Sequence, residues 1–122
     1  MAKIAYTMVF VSDMQRSVAF YRDVLGLPLR FQSPGWTEFA TEGTTLALHK
    51  ASTPAVAGAD PSVNPAGSCR LGLHVTSLDA LHEKLISNGV RCVIPPTLQD
   101  FGARLSVYAD PDGLPISFGE SK

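Results

Sequence analysis

Charge is scarce in this chain. Only 17% of its 122 residues are Asp, Glu, Lys or Arg, and the net charge is −1. There is no basic run, so neither a nucleic acid nor an anionic membrane is an expected partner. Long apolar runs are missing too; none approaches the roughly 20 residues that span a bilayer. The first residues, MAKIAYTMVFVSDMQ, contain no signal-peptide apolar segment and no small-residue cleavage site, so a cytoplasmic location is expected. Cysteine is limited to Cys69 and Cys92. They form no CxxC pair, and both are expected to be reduced, partly buried thiols. GxSxG, HExxH and a phosphate-binding glycine loop are absent, and no catalytic residue is assigned. What remains is a 45% hydrophobic chain long enough for one globular domain or two small modules sharing a core.

The clearest local signal is Arg104 to Phe118, RLSVYADPDGLPISF. Leu105, Val107 and Ala109 alternate with Arg104, Ser106 and Tyr108, the two-residue period of a strand. Asp110-Pro111-Asp112-Gly113 is a turn. Asp110 can accept from the backbone ahead of it, Pro111 presets φ, and Gly113 tolerates a positive φ. Ile116 and Phe118 then resume the buried face of a second strand, with Ser117 on the other.

Earlier in the chain, residues 4–11 alternate as a strand. Ser12 or Asp13 caps a helix predicted to run to about Leu25, with Gly26 and Pro28 ending it. Strands follow at 29–32, 36–41 and 44–49. Residues 51–68, ASTPAVAGADPSVNPAGS, read as a linker or surface loop. The second half repeats the first. Residues 70–75 form a strand, and Ser77 or Thr76 caps a helix bearing Leu78, Leu81, Leu85 and Ile86. Gly89 ends that helix as Gly26 ends the first. A strand at 90–94 is closed by Pro95-Pro96, and the hairpin comes last. Overlaying the halves places Tyr6 on Arg70, Gly26 on Gly89 and Ala47 on Ser117, at offsets of 63 to 70. The expected fold class is α+β. Two tandem βαβββ modules, 1–50 and 69–122, form a curved mixed sheet around a cleft, with the helices outside.

Alternation divides the strand residues into two faces. The helix-covered face is expected to hold Thr7, Val9, Val11, Thr37, Phe39, Leu46, Leu48, Leu71, Leu73, Val75, Leu105, Val107, Ala109, Ile116 and Phe118. The other face collects Tyr6, Met8, Trp36, Glu38, His49, Arg70, His74, Arg104, Tyr108 and Ser117, with Phe10, Ala47, Gly72 and Ser106. This mixture of aromatic, small and charged groups suits a small-molecule site, and those first ten are the candidate pocket residues. Arg70 and Arg104 are expected to enter the same cleft. Glu38 is a candidate ion-pair partner for one of them, leaving the other for an anionic group of a ligand. Trp36 and Tyr6 would supply aromatic walls. His82 is expected at the surface. Exposed strand edges and a Trp-bearing face suit a homodimer.

Val11-Ser12-Asp13-Met14-Gln15-Arg16-Ser17, Phe20-Tyr21 and Val24-Leu25-Gly26-Leu27 resemble the opening of the vicinal oxygen chelate superfamily. That group holds glyoxalase I, bleomycin-resistance proteins, fosfomycin-resistance enzymes and extradiol dioxygenases. Phe101-Gly102 and Tyr108-Ala109-Asp110-Pro111-Asp112-Gly113 resemble its closing signature. The resemblance implies paired βαβββ modules around a cleft, often in homodimers. It also implies four metal-ligand positions, which fall on Tyr6, Ala47, Arg70 and Ser117. None is a usual ligand of a divalent ion, and a guanidinium repels one. The expectation is therefore a metal-free, cofactor-free protein that binds a small apolar, aromatic or anionic molecule, as bleomycin-resistance proteins do. The alternative is a glyoxalase-like lyase, isomerase or dioxygenase with a divalent metal relocated to His49, His74 and Glu38.

Overall fold

The structure, a computed structural model, describes residues 1, 4–53, 60 and 69–120. Most of the predicted linker, residues 54–59 and 61–68, lies outside the described residues. The chain divides into two compact units, Met1–Val56 and Ala57–Lys122, here called module one and module two.

Module one runs β1 (Tyr6–Val11), α1 (Met14–Ala19), β2 (Leu29–Gln32), β3 (Trp36–Phe39) and β4 (Thr45–Lys50). Its strands form one mixed sheet in the order β1-β4-β3-β2, with β1 parallel to β4. The helix starts where Asp13 Oδ1 accepts from the Arg16 backbone N–H at 3.1 Å. Ser12 instead receives the Arg16 guanidinium on its hydroxyl, at 2.9 Å. The predicted single helix to Leu25 is two pieces. After Ala19 the chain widens into a π-helical turn, Phe20–Val24, closed by Leu25 N–H donating to Phe20 O at 3.0 Å. The widened turn puts the adjacent Phe20 and Tyr21 both inside, their rings edge-on at 5.0 Å. Gly26 ends the segment with φ 78°. Val9, Val11, Val18, Tyr21, Phe39, Leu46 and Leu48 are the buried core.

Module two runs β5 (Leu71–Val75), α2 (Leu78–Ser87), β6 (Cys92–Leu98), β7 (Arg104–Ala109) and β8 (Pro115–Glu120), in the sheet order β5-β8-β7-β6. Ser77 caps α2, accepting from Ala80 N–H at 3.2 Å, and Gly89 ends it with φ 74°. Leu78 and Leu85 are fully buried, while Ile86, placed in the apolar stripe by its spacing, is 46% exposed. The prolines do not close β6 as expected. Pro95 and Pro96 lie inside the strand, in a bulge between Ile94, paired with Val107, and Thr97, paired with Leu105. The fold admits them because β6 is an edge strand, where a missing N–H need cost no ladder bond.

The Asp110 turn forms as its residues predict. Asp110 Oδ1 accepts from Asp112 N–H at 2.9 Å and Leu114 N–H at 2.8 Å, while Gly113 N–H closes onto Asp110 O at 2.9 Å. Gly113 takes φ 88°.

One face assignment is reversed. Tyr108 pairs with Ile116, Ser106 with Phe118, and Val107 with Ser117. Paired residues share a face, so Arg104, Ser106 and Tyr108 lie on the helix side. Leu105 and Val107 lie on the open side with Ser117. Helix α2 supplies what the polar groups need. Tyr108 Oη meets His82 Nδ1 at 2.9 Å, so His82 is a half-buried partner rather than a surface residue. Arg104 pairs with Asp79 at 2.8 Å and Glu120 at 3.3 Å. Hairpin length is the source of the reversal. Between paired Phe39 and Leu46 lie residues 40–45, and between paired Tyr108 and Ile116 lie residues 109–115, one more. A shift of one residue moves every side chain of a strand to its other face.

Candidate functional site

In each module the helix covers one face of the sheet and the other face carries the candidate residues. On module one, the parallel pairing sets Tyr6, Met8 and Phe10 beside Thr45, Ala47 and His49. The antiparallel pairing adds Trp36 opposite His49 and Glu38 opposite Ala47. Tyr6, Met8 and Phe10 are 51%, 37% and 58% exposed, which is unusual for such side chains and gives this face its aromatic character. The rings stand edge-on or tilted to one another. Tyr6 to Trp36 is 5.6 Å, Trp36 to His49 is 6.0 Å, and Phe10 to His49 is 5.4 Å between centroids. Ala47, fully buried, is the small floor between Met8 and Glu38.

Glu38 is the polar anchor of this face. Its Oε2 accepts from the Trp36 indole N–H at 2.9 Å and its Oε1 from Arg30 at 2.5 Å. Arg30 also donates to Thr45 Oγ1 at 2.8 Å. The partner of Glu38 is thus Arg30, on β2, and neither arginine that the sequence reading offered. The Trp36 and Arg30 donors hold the Glu38 carboxyl below the usual carboxylate range. A lowered folded value means that Glu38 stabilises the fold above the ordinary glutamate pKa of about 4.3, and that this contribution fades as pH falls through the lowered value. Trp36 is the single tryptophan, so its fluorescence reports the event. An acid titration is expected to shift Trp36 emission with a midpoint below about 4.3, and Glu38→Gln is expected to remove that transition.

On module two, Gly72 lies opposite Ser117, and His74 opposite Gly119. Arg70, just before β5, donates to Ser117 Oγ at 3.4 Å. The open side of β7 and β6 adds Leu105, Val107 and Ile94. Arg104 and Tyr108, both predicted for the pocket, are on the helix side instead. Burial holds the Tyr108 hydroxyl above the ordinary tyrosine range. The sequence reading missed Leu105 and Val107, because it assigns the apolar residues of an alternating strand inward, and it places Ile94 on neither face. It also missed Arg30 in the Glu38 network. Its only signal was position on a strand neighbouring the one that carries Glu38.

Away from both faces, a shallow pocket of about 170 Å³ is lined by Ser12, Lys50, Ala51, Ser52 and Thr53, with Lys50 Nζ donating to Ser12 O. It is smaller than an ordinary ligand pocket and contains none of the candidate residues. Among the described residues no group of three or more His, Cys, Asp or Glu side chains converges as a metal site would require, and no helix is long and apolar enough to cross a membrane.

Residues 3–118 match the family model of the Glyoxalase/Bleomycin resistance protein/Dioxygenase superfamily. The chain belongs to that superfamily. A Bacillus subtilis (strain 168) relative, the uncharacterized protein YraH, is 26% identical over 117 residues, covering 90% of this chain and 91% of that one. A protein of unknown function from Agrobacterium tumefaciens str. C58 superposes with a TM-score of 0.79 at 26% identity, over 100% of this chain and 96% of the other. A glyoxalase/dioxygenase from Nostoc punctiforme, 21% identical, superposes with a TM-score of 0.83 over 98% of this chain and 91% of its own; that likeness is one of fold. The family's metal positions, carried to Tyr6, Ala47, Arg70 and Ser117, do not fit a divalent ion. Ala47 has no donor and is sealed in the sheet, and the Arg70 guanidinium is already turned onto Ser117.

Proposed function

We propose that this protein is a metal-free superfamily member that binds a small apolar, aromatic or anionic molecule on its open sheet faces. It holds the molecule without changing its bonds, in a sequestering role of the bleomycin-resistance kind. The observation that carries this reading is the donor set: Ala47 and Arg70 stand where a metal-dependent member needs ligands, and neither can serve as one. The exposed aromatic face of module one supports binding, because three large apolar side chains on one strand face are left without cover. The protein acts in the cytoplasm as a homodimer, whose association covers part of that exposed apolar surface. Glu38 weighs against the relocated metal site, since both its oxygens are committed to Trp36 and Arg30. Elemental analysis of the purified protein is the test. Nickel, zinc, manganese and iron are each expected far below one equivalent per chain, and a stoichiometric metal overturns the reading.

A further inference from the structure

A bulge at the margin of module one decides which side chains its open face presents. Phe31 of β2 lies opposite Glu38, and the register shifts between Leu29 and Phe31. Such a bulge sets two successive residues against one partner. Arg30 and Phe31 therefore both reach the open face. Arg30 does so through its bonds to Glu38 Oε1 and Thr45 Oγ1, while Phe31 stands 52% exposed. Across the sheet one row runs Met8, Ala47, Glu38, Phe31, and the row beside it runs Phe10, His49, Trp36.

Glu38 does two things in the middle of these rows. It accepts from the Trp36 indole N–H, which fixes the ring and uses its one donor. It also cancels Arg30. Among the described residues, Arg30 and Glu38 are the charged strand residues of this face, and they are ion-paired with each other; His49 is the other titratable group there. The rings do not lie flat on one another. Tyr6 and Trp36 cross at 87°, Trp36 and His49 at 88°, Phe10 and His49 at 56°. The exposed Tyr6 and Phe10 thus keep a ring face for a flat guest, and a ring face is electron-rich, so it disfavours an anion. We infer that Glu38 is the specificity-determining residue of this face, which takes an uncharged planar aromatic molecule in preference to an anionic one. Without the Glu38 charge, the Arg30 guanidinium would be left uncancelled and would draw an anion instead. This inference rests on the binding function proposed above and narrows its ligand class.

The test is an NMR titration of the whole chain at about pH 8, above the ordinary histidine range, with 2-naphthamide, 2-naphthoate and decahydro-2-naphthamide. The first two probes differ by one charge, the first and third by flatness. Trp36 is the single tryptophan, so its indole N–H signal marks the site. Saturable shifts of that signal are expected with 2-naphthamide. The naphthoate should bind about fivefold or more weaker, since its carboxylate loses water without gaining a counter-charge. The saturated amide should also be severalfold weaker, the worth of one aromatic contact. Glu38→Gln keeps an acceptor for the indole and removes the charge. It is expected to hold 2-naphthamide within about threefold and to tighten 2-naphthoate about tenfold, the worth of a charge-assisted contact. Arg30→Gln is expected to act in the opposite sense, weakening the naphthoate further. A pair that only stabilised the fold would move both naphthyl probes together. The inference is overturned by no saturable indole shift, by naphthoate or the saturated amide binding as tightly as 2-naphthamide, or by an amide preference that Glu38→Gln leaves unchanged. Stoichiometric metal would overturn the binding function itself; a metal-free protein that favours the naphthoate overturns this assignment alone.

Discussion

Phe39→Ala is expected to lower stability by about 3–5 kcal/mol, measured as a drop in the urea midpoint with an unchanged slope. Phe39 is fully buried and lies 6.1 Å from the Tyr21 ring, centroid to centroid. It pairs with Leu46 on β4, so truncation opens a hole between the sheet and the π-helical turn. The neighbours cannot collapse into it easily. Tyr21 is held by the widened backbone at Phe20–Val24, and Leu46 is fixed by the ladder. Folded domains typically hold about 5–15 kcal/mol in reserve, so the variant should retain only a part of that margin. A far smaller loss would mean that module one repacks around the gap.

Asp110→Ala should cost about 2–4 kcal/mol, since two backbone N–H groups lose a charge-assisted acceptor. The carboxylate is 5% exposed, and its Oδ1 accepts from both Asp112 and Leu114. Without it, the turn keeps its backbone bonds, Gly113 to Asp110 and Asp110 to Leu114. Asp110→Asn retains an acceptor and should recover part of the loss. Thermal unfolding of the three proteins side by side checks the order wild type, Asn, Ala. Equal melting temperatures for wild type and Ala would show that Pro111 and Gly113 set the turn without the side chain.

The elements were legible where a local rule has a local cause. Asp13 and Ser77 read as caps, Gly26 and Gly89 as helix ends, and Asp110 to Gly113 as a turn, because each depends on residues within a few positions. The π-helical turn was not legible. Its widened backbone goes with the burial of Phe20 and Tyr21 together, Tyr21 beside Phe39 of β3, which is a tertiary effect. The reversed face of β7 has a different cause. Its apolar residues alternate as cleanly as those of a buried strand, yet they point to the open side. Polar Tyr108 and Arg104 sit beneath α2 because His82, Asp79 and Glu120 receive them. Alternation gives the period of a strand and leaves its phase to the hairpin, and here one added residue set the phase. Among the candidate residues, the repeat sets Arg70 and Ser117 at the positions of Tyr6 and Ala47, and the hydrogen bond between them is what the structure adds. The Glu38–Arg30 pair needed the pairing of β2 with β3, which no spacing reveals.

The proline pair of β6 bears on how copies of this chain can meet. A strand at a sheet margin is a template for polymerisation, since its free N–H and C=O groups can recruit another backbone. Pro95 and Pro96 offer no N–H, and the bulge between Ile94 and Thr97 spoils the register an incoming strand would need. The opposite margin of module two, β5, carries no such block. Where two copies pair β5 to β5, only the proline-blocked β6 margins of this sheet face outward, so growth through module two stops at the pair.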